Sequence, residues 1–106
     1  MADLHDVMRL DELPSGSVVE VDVADRTLAV MNVDGEVFAL DNECTHMVAS
    51  LADGYLDSKC LTLECPLHGS RFDLRTGEPQ QKPARIPVRT YVVVVEDDMI
   101  KVLIDG

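Results

Sequence analysis

From Val19 the chain alternates apolar and polar positions through Glu20, Val21, Asp22 and Val23, the period-two pattern of a strand with one face in a core. Ala24-Asp25 predicts a short turn into a second strand over Thr27-Leu28-Ala29-Val30-Met31-Asn32-Val33. Asp34-Gly35 is a hairpin dipeptide, because glycine accepts positive φ, and Glu36-Val37-Phe38-Ala39-Leu40 reads as the return strand. These three pieces predict a meander. The alternation stops between Asn42 and Ser50, returns briefly at Tyr55-Leu56 and Leu61-Thr62-Leu63, and stops again from Cys65 to Ser70. Both interruptions read as loops. Arg75-Thr76-Gly77-Glu78 is a turn, and Pro79, Pro83 and Pro87 predict an extended surface segment poor in backbone donors. The end of the chain reads as a hairpin, Tyr91 to Glu96 and Met99 to Ile104 about Asp97-Asp98, whose first arm is apolar enough to be buried on both faces.

Composition supports an all-β domain. Valine leads the apolar set, and with two Phe, two Tyr and no Trp the core rests on β-branched packing. A length of 106 residues predicts a single domain, 1–106. No apolar run reaches the roughly 18 to 20 residues of a spanning helix, and the start lacks the basic-then-apolar layout of a signal peptide. The expectation is a cytoplasmic protein with no membrane partner. Nine basic against twenty acidic residues give a net charge of −11, which disfavours nucleic acid and anionic lipid. The imbalance lies in residues 1–57, with thirteen acids and two bases, whereas 58–106 hold seven of each. It reads first as a solvated acidic face and second as a docking dipole. Three cysteines, an odd number, argue against a disulfide framework and toward metal or redox chemistry.

Two of those cysteines and two of the three histidines form two short groups, Cys44-Thr45-His46 and Cys65-Pro66-Leu67-His68, eighteen residues apart and each in a loop. Thiolate and imidazole are ligands for soft metals and iron–sulfur clusters, and strands between two loops can bring both tips to one point. Each histidine alone reads as a solvated or hydrogen-bonded side chain; the paired arrangement changes that reading.

Cys-x-His followed at this distance by Cys-x-x-His resembles the signature of Rieske [2Fe-2S] proteins. The likeness continues through Gly69-Ser70-Arg71-Phe72-Asp73 and Thr76-Gly77-Glu78-Pro79 to Pro83-Ala84-Arg85-Ile86-Pro87-Val88. The chain looks like a small Rieske ferredoxin of the kind that serves bacterial ring-hydroxylating dioxygenases. The resemblance implies a Rieske fold, an antiparallel β-sandwich base with a small cluster-binding subdomain formed by two loops, approximately 42–85. It implies one [2Fe-2S] cluster, with Cys44 and Cys65 on one iron and His46 and His68 on the other. It further implies an electron carrier, not an enzyme, working as a monomer between a flavin-dependent NAD(P)H ferredoxin reductase and a terminal Rieske oxygenase. Two ferric ions, two sulfides and two thiolates sum to neutrality, whereas four thiolates would leave two negative charges. Reduction is therefore easier with two imidazoles, and Rieske centres span roughly −150 to +300 mV against roughly −400 mV for plant-type ferredoxins.

High-potential members of the family link their two cluster loops by a disulfide at positions where this chain has Ala49 and Leu67. They also use a serine, matched by Ser70, and a tyrosine hydroxyl, absent from Phe72. A potential in the lower half of the Rieske range is the expectation. Pro66 and Gly69 are read as residues of loop geometry, Pro83 and Ala84 as a third loop covering the cluster. Cys60 is read as a buried free thiol and His5 as a solvated side chain. The bases Arg71, Arg75, Lys82, Arg85 and Arg89 lie beside the second cluster loop, where they would steer docking or form a neutral mosaic. Two alternatives stand beside the carrier: the small subunit of another oxidoreductase such as nitrite reductase, and a Cys2His2 structural zinc module. Zinc fingers usually pair like ligands, whereas each loop here supplies one of each.

Overall fold

The computed structural model describes residues 2–45, 49–67, 69–81 and 84–105. The strands are β1 (Ala2–Arg9), β2 (Val18–Val23), β3 (Arg26–Val33), β4 (Glu36–Asp41), β5 (Tyr55–Asp57), β6 (Thr62–Glu64), β7 (Arg71–Asp73), β8 (Pro79–Gln81), β9 (Thr90–Tyr91), β10 (Val93–Glu96) and β11 (Met99–Asp105). Short 3-10 turns cover Leu10–Glu12 and Leu51–Asp53. Among the described residues no helix is long and apolar enough to cross a membrane.

Three antiparallel sheets result, ordered β1-β11-β10, β2-β3-β4-β9 and β5-β6-β7-β8. The meander β2-β3-β4 forms as the alternation predicts. Ala24 and Asp25 both take positive φ (49° and 65°), as do Asp34 and Gly35 (52° and 93°), the backbone of a tight turn whose twist matches that of its strands.

The meander is the middle layer, and period two explains why. In β3, Leu28 and Val30 face one buried cluster with Ile100, Val102 and Ile104 of β11. Ala29, Met31 and Val33 face a second, with Leu63 and Phe72 from the β5–β8 sheet and Leu74 just past β7. In β4, Val37 and Ala39 join the first, Phe38 and Leu40 the second. Cys44 and Cys65 belong to the second cluster, so the candidate site grows directly out of the core.

The structure departs from expectation at five points. The strands buried on both faces are β3 and β4, not the first arm of the terminal hairpin. Among the described residues β10 is a sheet edge paired with β11 alone, and Val95 and the preceding Val92 are exposed. β1 has no counterpart in the sequence reading, since Ala2 to Arg9 is half polar and mostly exposed; it forms by pairing along β11, with Val7 and Met8 packed against the first cluster. His5 lies on it, half-buried opposite Val102, rather than solvated. Cys60 is exposed, because it sits in the β5–β6 turn, where its N–H and that of Lys59 both donate to Asp57 Oδ1 (3.1 and 3.0 Å). The proline-rich segment is at the surface only in part: Arg85, Ile86 and Pro87 are exposed, whereas Ala84 and Val88 are buried, and Pro79–Gln81 pairs with β7.

Candidate metal centre

Two loops approach each other at the edge of the second core cluster. The first follows β4 and closes where the Cys44 N–H donates to the Ala49 carbonyl (3.1 Å), beside an isolated bridge between Glu43 and Ser50. The second joins β6 to β7 and closes where the Cys65 N–H donates to the Ser70 carbonyl (2.7 Å). Each cysteine thus bonds the carbonyl five positions ahead, so each thiol stands at the foot of a short, self-closed loop. Gly69 has φ +74°, a left-handed conformation that glycine adopts without strain, and it lets the second loop turn back to β7.

The two loops bring Cys44 and Cys65 together. Both are buried, at 3% and 1% exposure. Burial pushes the Cys65 thiol up, the Leu67 N–H aimed at its sulfur pulls it down, and the adjacent Cys44 side chain raises it further. Two buried, touching thiols are a poor place for uncompensated negative charge. A bound cationic metal reverses that balance, because coordination deprotonates a thiol outright. The donor set therefore fits an iron–sulfur group held by two thiolates, with a backbone N–H already directed at one sulfur. His46 and His68, the other members of the expected quartet, lie outside the described residues.

A third loop is bonded to both cluster loops, and its Ala84 and Val88 share the core cluster of the two cysteines. Thr45 Oγ1 donates to the Ile86 carbonyl (2.6 Å), and the buried Ala84 N–H donates to Ser70 Oγ (3.0 Å). Because Ser70 Oγ accepts from Ala84, its own proton remains available to another acceptor. Pro83 lies outside the described residues; Ala84 is buried in the same core cluster as Cys44 and Cys65. Phe72, with no hydroxyl to offer a sulfur, is fully buried in the core cluster that holds both cysteines. Ala49 and Leu67 confirm that no disulfide joins the loops at those positions.

Around this centre the surface is mixed. Leu67 on the second loop and Ile86 on the third are large exposed apolar side chains, and Arg85 next to Ile86 is exposed. Arg71 is paired with Glu64 (2.9 Å) and Arg75 with Asp73 (3.4 Å), so part of the basic stretch is neutralised locally. Lys82 lies outside the described residues.

Sequence reasoning missed two residues. Asn42, just before the first loop, is buried and bonds to Glu20, Ser50 and Ala52. Gly54 packs against the β6 backbone at Glu64, next to Cys65. Neither carries ligand chemistry, and their partners are distant in sequence.

Known proteins share this arrangement. The chain matches the Rieske [2Fe-2S] domain family over residues 3–92. It is 41% identical to the ferredoxin component of the naphthalene 1,2-dioxygenase/salicylate 5-hydroxylase systems of a Ralstonia species, over 87% of this chain and 86% of that one. The ferredoxin of carbazole 1,9a-dioxygenase from Nocardioides aromaticivorans IC177 superposes with a TM-score of 0.91 at 39% identity, covering 93% of this chain and 95% of that chain. A ferredoxin solved in complex with reduced oxygenase in carbazole 1,9a-dioxygenase superposes at 0.86 with 32% identity, over 93% and 91%. A nitrite reductase small subunit from Mycobacterium tuberculosis shares the fold (TM-score 0.89, covering 100% and 98%) at only 22% identity, a likeness of fold alone. The expected prosthetic group, one [2Fe-2S] cluster, stands on the family match and on these relatives, and it displaces the zinc reading. In its sheets, its paired buried thiols and its relatives alike, the chain belongs to the Rieske [2Fe-2S] domain family.

Proposed function

We propose that this chain takes single electrons from a flavin-dependent NAD(P)H ferredoxin reductase and passes them to the terminal oxygenase of an aromatic ring-hydroxylating dioxygenase. Its likeness to ferredoxin components of such systems, over nearly the whole chain at about 40% identity, supports the role. The structural observation that carries it is the meeting of buried Cys44 and Cys65 on two self-closed loops, with exposed Leu67 on the second and exposed Ile86 on the third loop bonded to both. The bound cluster supplies a one-electron couple. Cys44 and Cys65 hold one iron, and His46 and His68 hold the other.

The residues divide the work. The N–H of Leu67 and the hydroxyl of Ser70 are donors for the sulfurs, a contribution that favours the reduced state. The third loop, bonded to Thr45 and Ser70, keeps water from the thiols. Leu67 and Ile86 give a partner an apolar contact beside the site, with exposed Arg85 at its rim. The chain acts as one cytoplasmic, monomeric domain, with residues 42–85 as its cluster-binding part.

The test combines the holo-protein with the reductase and oxygenase of a carbazole 1,9a-dioxygenase system and NADH. The chain is expected to take up one electron, return it to the oxygenase, and be required for product formation. An oxygenase that turns over equally well without it would contradict the proposal.

A further inference from the structure

We propose that Glu20, Asn42 and Ser50 are positioning residues that fix the base of the first cluster loop. Asn42 Nδ2 donates to Glu20 Oε1 (2.8 Å) and to Ser50 Oγ (2.9 Å), and the Ser50 hydroxyl donates to the same Glu20 oxygen (3.1 Å). The three side chains therefore close a triangle, every pair bonded. On its other side Asn42 Oδ1 accepts the Ala52 N–H (2.9 Å). The Asn42 backbone N–H donates to Thr27 (3.0 Å), and its carbonyl accepts the Leu51 N–H (2.7 Å).

The directions are not interchangeable. A carboxylate only accepts and Asn42 must donate twice, so flipping the amide would set Oδ1 against Glu20 and leave Nδ2 facing the Ala52 N–H. Asn42 is 6% exposed, so a mismatched amide finds little water to replace its lost partners, while Glu20 lies on the exposed side of the triangle. The triangle joins edge strand β2, the loop entry and the loop exit. Cys44 lies two residues past Asn42, and Ala49, which accepts the Cys44 N–H, directly precedes Ser50. Slippage at the triangle would thus move the Cys44 thiol relative to Cys65, and a site that gains and loses an electron needs its ligands held to a fraction of an ångström.

The inference rests on Cys44 and His46 being ligands, and the test separates the two claims. Asn42→Asp removes both Nδ2 donors and faces Glu20 with a second carboxylate. The double variant Glu20→Gln with Asn42→Asp exchanges donor and acceptor, rebuilds the triangle and restores the wild-type net charge. Each holo-protein is challenged with an iron chelator, and the EPR spectrum and potential of the reduced form are recorded. The single variant should lose iron about tenfold faster than wild type, the low end for removal of a supporting partner, and its spectrum should broaden. The double variant should return to wild-type release, spectrum and potential. A single variant indistinguishable from wild type, or a double variant no better than the single one whether or not the single one folds, overturns the proposal. A Cys44→Ser variant with an unaltered cluster would overturn the ligand reading itself, and this proposal with it.

Discussion

A Cβ on Gly54 would lie 1.9 Å from the Glu64 carbonyl oxygen and 3.1 Å from that of Leu51, so the backbone leaving the first loop rests directly on the strand leading to Cys65. Gly54→Ala must push these segments apart. It should destabilise the fold by about 1–3 kcal/mol, read as a lower denaturation midpoint, and should shorten cluster retention. Asp73 offers a pH test. Burial pushes its carboxyl up, but the N–H and guanidinium of Arg75 and the N–H of Thr76 bring it below the ordinary 3.8. A depressed folded value means its stabilisation is complete above the unfolded value and fades as pH falls through the folded one. Stability of Asp73→Asn should therefore depend less on pH between about 5 and 2 than that of wild type, by denaturant titration. At this scale the sequence was legible where chemistry is local. Cys44 and Cys65 stand in short motifs, whereas Asn42 takes its meaning from Glu20, twenty-two residues away. Gly54 takes its meaning from a backbone that only folding delivers.

Turns and strand alternation were legible among the elements, because both are written within a few residues. Asp34-Gly35 and Ala24-Asp25 turn where expected, and both loops carrying the site fall where the alternation stops. The misreadings concern neighbours. The Val92–Val95 run looks like a buried strand, but burial depends on what covers each face, and β10 lies at an edge. β1 is nearly invisible because it is mostly exposed and pairs along its whole length with a strand ninety or more residues away, only its end, at Val7 and Met8, packing against the core. The third loop's attachments are likewise long-range, and they make a graded prediction. Ser70→Ala leaves the buried Ala84 N–H without its acceptor and should cost about 1–3 kcal/mol. Thr45→Val removes a donor from the exposed Ile86 and should cost about 0.5–1.5 kcal/mol. Denaturation of the two holo-proteins giving the opposite order would mean that the strap is not held chiefly at Ser70.

Across the whole molecule, an acidic body ends in a cluster region bearing apolar Leu67 and Ile86 beside exposed Arg85. Ile86→Asp should leave iron content and spectrum unchanged while slowing reoxidation by the oxygenase at least about tenfold, the effect of losing a central apolar contact. An unchanged stopped-flow rate would place docking elsewhere. With no disulfide between the loops and Phe72 in place of a hydroxyl donor, the potential should fall in the lower half of roughly −150 to +300 mV. It should also decline at alkaline pH, since imidazole ligands hold a proton more tightly once an electron is added. The most direct measurement of the central claim is an EPR spectrum of the iron-loaded protein before and after chemical reduction. A silent oxidised form that gains a rhombic signal of low average g, and loses it in His46→Ala and His68→Ala, is the result expected of a binuclear cluster held by two thiolates and two imidazoles. A signal unaffected by either histidine substitution, or no signal in a protein shown to carry iron, would contradict it.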